Sequence, residues 1–215
     1  MKQFKVTVLD YGVGNLLSVK RGLEHFGAEV KITSDYVDIQ KADRLVFPGV
    51  GAFPNAMQSL EKIGLIDPIK VFIKTGKPFM AICLGMQLLM EESDEFQITK
   101  GLGMIKGKVT KLPSKNVQNA NHKVPHIGWS KIQPRKNLSN WDLTLLADNA
   151  PHDYAYFVHS YHVLPLEPAT ILATTNFNGI EVVAAVKSEN ITAFQFHPEK
   201  SSIAGLKILN RFCND

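Results

Sequence analysis

Phe79-Met80-Ala81-Ile82-Cys83-Leu84-Gly85-Met86-Gln87 is the stretch on which the reading of the chain turns. Phe79 to Ile82 is almost wholly apolar, as a strand is when both faces of a parallel sheet are covered. The spacing beyond it predicts a helix from Leu84 to about Glu92. Cys83 thus stands where a strand passes directly into a helix, with its side chain at the C-terminal edge of the sheet. Ala81 and Gly85, two residues to either side, are small enough to relieve crowding at so tight a turn.

The pattern repeats upstream. Phe4–Leu9, Glu29–Thr33 and Arg44–Phe47 read as strands. Leu16, Val19, Leu23 and Phe26 recur at helical spacing, and Gly27 suits the residue after a helix end. A helix is predicted over Asn55–Ile63. Another is predicted to start at Asp67-Pro68, with Asp67 as N-cap and Pro68 in first position. Alternation of strand and helix argues for a doubly wound α/β fold with a mostly parallel central sheet, flavodoxin-like in type. The second half is richer in β structure. Tyr154–Val163, Thr170–Thr175, Glu181–Val186 and Ile191–Phe196 read as strands, with Asn178-Gly179 as a turn between two of them. Leu112–His122 is polar and reads as a loop, and Ser202–Phe212 as a closing helix. No linker, repeat or low-complexity tract divides the chain, so residues 1–215 are expected to form one domain.

Composition narrows the function. The chain has 215 residues, 45% of them hydrophobic and 20% charged, which suits a packed domain rather than disorder. The net charge of +4 comes from scattered lysines without a basic run, so nucleic-acid binding is not expected. The opening run Met1–Asp10 is too short and too polar for a signal peptide or a membrane span, which predicts a cytoplasmic protein. The two cysteines, Cys83 and Cys213, offer no disulfide framework. The seven histidines do not cluster: His122 and His126 are four apart, but Pro125 intervenes. No metal and no cofactor are expected.

Cys83 at its junction resembles the G-x-S-x-G elbow of hydrolases, with sulfur in place of oxygen. A helix N-terminus there favours the thiolate, and the free Leu84 N–H can donate to an oxyanion. A buried core cysteine is the bland alternative for this segment. His197-Pro198-Glu199 supplies candidate partners. In an extended segment, alternate residues share a face with Cα atoms roughly 6.5–7 Å apart, so Glu199 can hold one ring nitrogen while the other faces a thiol. Pro198 keeps His197 extended. Pro48-Gly49-Val50-Gly51-Ala52-Phe53 follows a strand at the same edge, and its glycines let N–H groups turn toward an oxyanion. Asp10-Tyr11-Gly12-Val13-Gly14-Asn15-Leu16 is a similar loop. Leu17 stands where a dinucleotide fingerprint needs a small residue, so it reads as a phosphate or partner contact instead.

Taken together, these motifs resemble the class I, triad-type glutamine amidotransferases, and within them the glutaminase subunits of imidazole glycerol phosphate synthases. Pro125-His-Ile-Gly-Trp129, Tyr156-Phe-Val-His-Ser-Tyr161 and His197-Pro-Glu-Lys-Ser201 complete the set, in the family's order and over nearly the whole chain. The resemblance implies that Cys83 is the nucleophile, His197 the general acid/base and Glu199 the orienting carboxylate. It implies oxyanion donors at Leu84 and the Val50–Gly51 peptide, and contacts to the amino-acid end of glutamine from Gln87, Glu95, Ser160 and Tyr161. Asn15, Trp129, Tyr154 and Tyr156 would lie near a partner face for a (β/α)8-barrel cyclase subunit in a heterodimer. The chain departs from the pattern at Ala81, where Gly is usual, and in the long polar Leu112–His122 stretch. Two other readings keep the fold. In one, a paralogous glutaminase supplies ammonia to a surface-sugar amidotransferase; in the other, the chain is a non-catalytic binding or regulatory module.

Overall fold

Alternation of apolar side chains decides which way each strand faces. In β3 (Arg44–Gly49), Leu45 and Phe47 enter one core while Val46 enters another. In β4 (Phe79–Cys83), Phe79 and Ala81 side with the first core, and Met80, Ile82 and Cys83 with the second. A sheet buried on both faces needs helices on both faces, and the chain provides them. In the computed structural model, which describes residues 4–136, 138 and 140–214, β1 (Lys5–Leu9) begins the sheet. Residues 1–3 of the opening run lie outside the described residues. There follow α1 (Leu16–Glu24), β2 (Glu29–Thr33), α2 (Tyr36–Lys41), β3, α3 (Phe53–Lys62), α4 (Ile66–Lys74), β4 and α5 (Leu84–Leu88). Helix α1 buries Val19 and Leu23 in the second core, and α3 and α4 bury Leu60, Ile69 and Phe72 in the first.

The remaining strands are β5 (Glu92–Ser93), β6 (Thr99–Lys100), β7 (Gly107–Lys111), β8 (His126–Pro134), β9 (Tyr154–His159), β10 (Tyr161–Pro165), β11 (Ile171–Phe177), β12 (Ile180–Ser188) and β13 (Ile191–Phe194); α6 (Ser202–Asn214) closes the fold. The larger sheet runs β2-β1-β3-β4-β13-β12-β11-β8-β9. Its first five strands are parallel, and from β12 onward neighbours are antiparallel. The smaller sheet runs β10-β7-β5-β6. The order reverses between β1 and β3, so the loops leaving their C-terminal ends meet at a topological switch point. The Asn178-Gly179 turn joins β11 to β12, with both residues at positive φ.

Several local expectations are corrected. Helix α5 ends at Leu88 instead of Glu92, because Glu92 enters β5 of the small sheet. Helix α4 begins at Ile66 behind Leu65, so Asp67 is no N-cap; Pro68 still sits in the first turn, where no backbone N–H is required. The predicted strand Tyr154–Val163 is two strands that part at Ser160 and join different sheets. Leu112–His122 forms no helix or strand, but it is anchored. His122 packs on Phe177 at 5.0 Å between ring centroids, and Val117 lies against Gly179. No described helix is long and apolar enough to cross a membrane.

Candidate active site

The turn from β4 into α5 is made at Cys83 itself, with φ 55° and ψ −111°. A non-glycine residue in that region is strained, and it persists only where the surroundings hold it. They do so by close packing: a Cβ on Gly85 would overlap the Phe47 carbonyl oxygen of β3. Parallel pairing sets Gly49 opposite Cys83, which brings the Pro48–Phe53 loop beside the sulfur. Tyr11 braces that loop from below, its hydroxyl donating to the Pro48 carbonyl at 2.8 Å. Burial, aided by the neighbouring Cys83, raises the Tyr11 pKa far enough to keep the phenol neutral. Gly51 has φ +97°, a conformation suited to glycine. Helix α5 has only five residues. It offers the unpaired N–H groups of its first turn rather than a long macrodipole.

β13 pairs with β4 in parallel and delivers His197 just past the same edge. His197 is extended (φ −100°, ψ 99°), as expected before proline, but Pro198–Lys200 then turns as a short 3-10 helix. Glu199 therefore reaches the imidazole around a turn instead of along a strand. The result is a 2.8 Å contact from His197 Nδ1 to Glu199 Oε1, with side chains 3% and 1% exposed. Burial alone would lower the His197 pKa; Cys83 and Glu199 reverse that and raise it. The buried Nε2 has no hydrogen-bond partner. The Cys83 thiol sits 4.0 Å from the Val158 carbonyl instead. Ser201 fixes the arrangement, donating to the His197 carbonyl at 2.7 Å and accepting from the Tyr156 N–H at 2.9 Å.

These groups open onto a cavity of about 350 Å³. Val50, Gly51, Cys83, Leu84, Gln87, Glu95, Ser160, Tyr161 and His197 all line it, so nine of the residues singled out in the sequence meet in one place, with Glu199 behind. One Glu95 oxygen accepts the Phe53 N–H at 2.7 Å, at the start of α3. Burial raises the Glu95 pKa despite that bond. Gln87 donates to the Tyr161 carbonyl at 2.9 Å and to Gln195 Oε1 at 3.1 Å. Asn15, Trp129, Tyr154 and Tyr156 do not line the cavity. Asn15 stands at the N-cap position of α1, without a side-chain capping hydrogen bond. The other three belong to the outermost strand pair, where cross-strand partners are Ile127 with Val158, Trp129 with Tyr156, and Lys131 with Tyr154. Ile127, Trp129 and Tyr154 are 61%, 51% and 52% exposed, an apolar face that reaches the cavity at Val158.

Sequence reasoning missed Tyr11, Pro125, Val158, His159, Gln195 and Ser201. Gln195 carried a signal, since it is a lone amide between Phe194 and Phe196. His159 carried none, because its role depends on a distant ring. Its Nδ1–H donates to the Tyr161 carbonyl (2.9 Å), so its Nε2 must accept from His126 Nδ1 (3.1 Å). Among the described residues no three His, Cys, Asp or Glu are placed to hold a metal ion.

The profile of the family "Glutamine amidotransferase class-I" matches residues 7–215. The chain is 45% identical over 207 residues to a protein of Legionella pneumophila (strain Lens) named imidazole glycerol phosphate synthase subunit HisH 1, covering 96% of this chain and 97% of the relative. It is 44% identical over 209 residues to the HisH subunit of Aquifex aeolicus (strain VF5), covering 97% and 95%. Among solved structures, PurLQS from Thermotoga maritima superposes with a TM-score of 0.71 at 16% identity, over 99% of this chain and 98% of that one. The glutaminase domain of Trypanosoma brucei CTPS, with bound acivicin, gives 0.65 at 17% identity, over 98% and 92%. At such identities the superpositions speak for the fold, and the family match and full-length relatives speak for descent: the chain belongs to the class I glutamine amidotransferases.

Proposed function

We propose that this chain is the glutaminase subunit of an imidazole glycerol phosphate synthase, releasing ammonia from glutamine for a cyclase partner in histidine biosynthesis. One observation carries the chemistry. A strained elbow cysteine shares a cavity with a buried imidazole, and a carboxylate is hydrogen-bonded to the far side of that ring. The relatives named HisH carry the pathway.

In this reading the Cys83 thiolate attacks the side-chain amide carbon of glutamine. The resulting oxyanion is held by the Leu84 N–H and the Val50–Gly51 peptide; one such donor is worth about 10²–10³ in rate. His197 gives its proton to the departing nitrogen as the C–N bond breaks, and ammonia leaves a γ-glutamyl thioester on Cys83. His197 then takes a proton from water, which attacks the thioester and frees glutamate. Glu199 keeps Nε2 toward the reacting atoms by holding Nδ1–H. Glu95 supplies negative charge for the substrate ammonium; Gln87, Ser160 and Tyr161 hold the remainder of the amino-acid end.

The Ile127–Trp129–Tyr154–Tyr156–Val158 face docks a (β/α)8-barrel cyclase subunit, giving a cytoplasmic heterodimer whose 1–215 chain acts as one domain. One feature supports partner gating: Gly51, at φ +97°, permits its peptide to reorient. A glutamine analogue with an electrophilic carbon in place of the amide tests the site. It is expected to alkylate Cys83 alone, in competition with glutamine. Labelling at Cys213, or an unlabelled protein that still hydrolyses glutamine, would remove the assignment.

A further inference from the structure

Gln195 is completely buried and lies against the nucleophile, which lines the cavity while Gln195 does not. Its Nε2 lies 3.8 Å from Cys83 Sγ with donor geometry, and its Oε1 accepts from Gln87 Nε2 at 3.1 Å. Gln87 is itself fixed by the Tyr161 carbonyl. The order of this chain leaves no freedom in the amide. Gln87 can only donate through its nitrogen, so Gln195 must present oxygen to Gln87 and N–H to sulfur. Burying an amide between two phenylalanines is costly unless both of its ends are paired. Packing alone would favour an apolar residue at 195.

We propose that Gln195 is a positioning residue for the nucleophile: its side-chain N–H donates to the Cys83 sulfur, favours the thiolate and holds the sulfur toward the cavity. The inference rests on Cys83 being the nucleophile and deepens that reading. A donor on the charged form of an acid stabilises that form, and thiolate content sets nucleophilic reactivity. The five-residue α5 makes such a donor more useful, since so short a helix contributes little field of its own. The same amide ties the sulfur to Gln87, so glutamine that contacts Gln87 also steadies the thiolate.

The test is the pH dependence of Cys83 alkylation by iodoacetamide in the full chain, read by peptide mapping so that Cys213 is scored apart. Gln195→Met keeps the volume and removes the donor. Its alkylation midpoint is expected about one pH unit above the wild type, which is about tenfold less thiolate at a fixed pH below both midpoints. A structural role alone would lower thermal stability and leave the midpoint unchanged, and an unchanged midpoint overturns the proposal. A second measurement uses the wild-type chain and so survives a variant that fails to fold. The Gln195 side-chain amide proton resonances should titrate with the Cys83 midpoint and stop doing so in Cys83→Ala. An amide blind to that titration also overturns the proposal. The two readings fail separately: if Cys83→Ala abolishes glutamine turnover while Gln195→Met alkylates like the wild type, only the Gln195 role falls.

Discussion

His197 depends on the carboxylate behind it. Glu199 is almost fully buried against Nδ1, and together with Cys83 it raises an imidazole that burial would otherwise lower. Glu199→Gln keeps the shape and removes the charge. The His197 pKa should fall, visible by NMR titration, and kcat should drop on the order of 10²–10⁴-fold with a smaller change in KM. His126 and His159 show the opposite electrostatics. Burial, first among the causes, lowers them to about 4 and about 3, and the contacts of His159 are satisfied only by a neutral ring, since its Nδ1–H donates while its Nε2 accepts. The unfolded chain binds those protons near the ordinary value of 6.5. Their contribution to stability is therefore fully present above that pH and is lost as pH falls toward 4 and then 3. His197, being raised, acts in the reverse sense and weakens the fold as pH rises above 6.5. The thermal midpoint should thus decline on both sides of near-neutral pH, and His159→Gln should flatten the acid limb.

The elements place these residues through contacts that a side chain would block. Gly85 lets α5 press on β3, and Gly205 lets α6 press on the Pro198 carbonyl, at the turn that carries Glu199. Gly205→Ala should push that turn outward, costing about 1–3 kcal/mol in chemical denaturation, with activity lost beyond what that stability explains. Gly205 is a helical glycine in α6, and nothing local to it announces the contact. The elbow, by contrast, was legible, because an apolar strand running into Cys83-Leu84-Gly85 admits few other conformations. The end of α5 was not, since residues 84–88 are all buried and show no periodicity to mark a boundary. β8 escaped for a related reason. Its outward residues include Ile127 and Trp129 while His126 is buried, so the usual polar-out pattern is inverted over the first half of the strand. The six-residue α2 buries only Ile39, too little for a periodic signal. The His197–Glu199 contact was legible as a pairing, but the 3-10 turn that makes it was not.

At the scale of the molecule, the site and the exposed face form one continuous structure. Val158 lies on the cavity wall and pairs with Ile127 on the face; Ser201 ties His197 to the strand that carries Tyr156. A partner seated on β8 and β9 thus bears directly on His197 and the cavity. Trp129, exposed and packed edge-on to Tyr156 at 5.9 Å, is suited to anchor that contact. Trp129→Ala should weaken cyclase binding by about 2 kcal/mol or more, roughly 30-fold in Kd, while the Cys83 alkylation profile of the isolated chain stays unchanged. The most direct test of the whole account is glutamine hydrolysis by the purified chain, with and without the cognate cyclase and its nucleotide ligand, beside Cys83→Ala. Strong stimulation by the loaded cyclase, absent in Cys83→Ala, is the predicted result. A cyclase that neither binds nor stimulates would contradict the histidine assignment and favour a different ammonia acceptor, and turnover surviving in Cys83→Ala would contradict the chemistry itself.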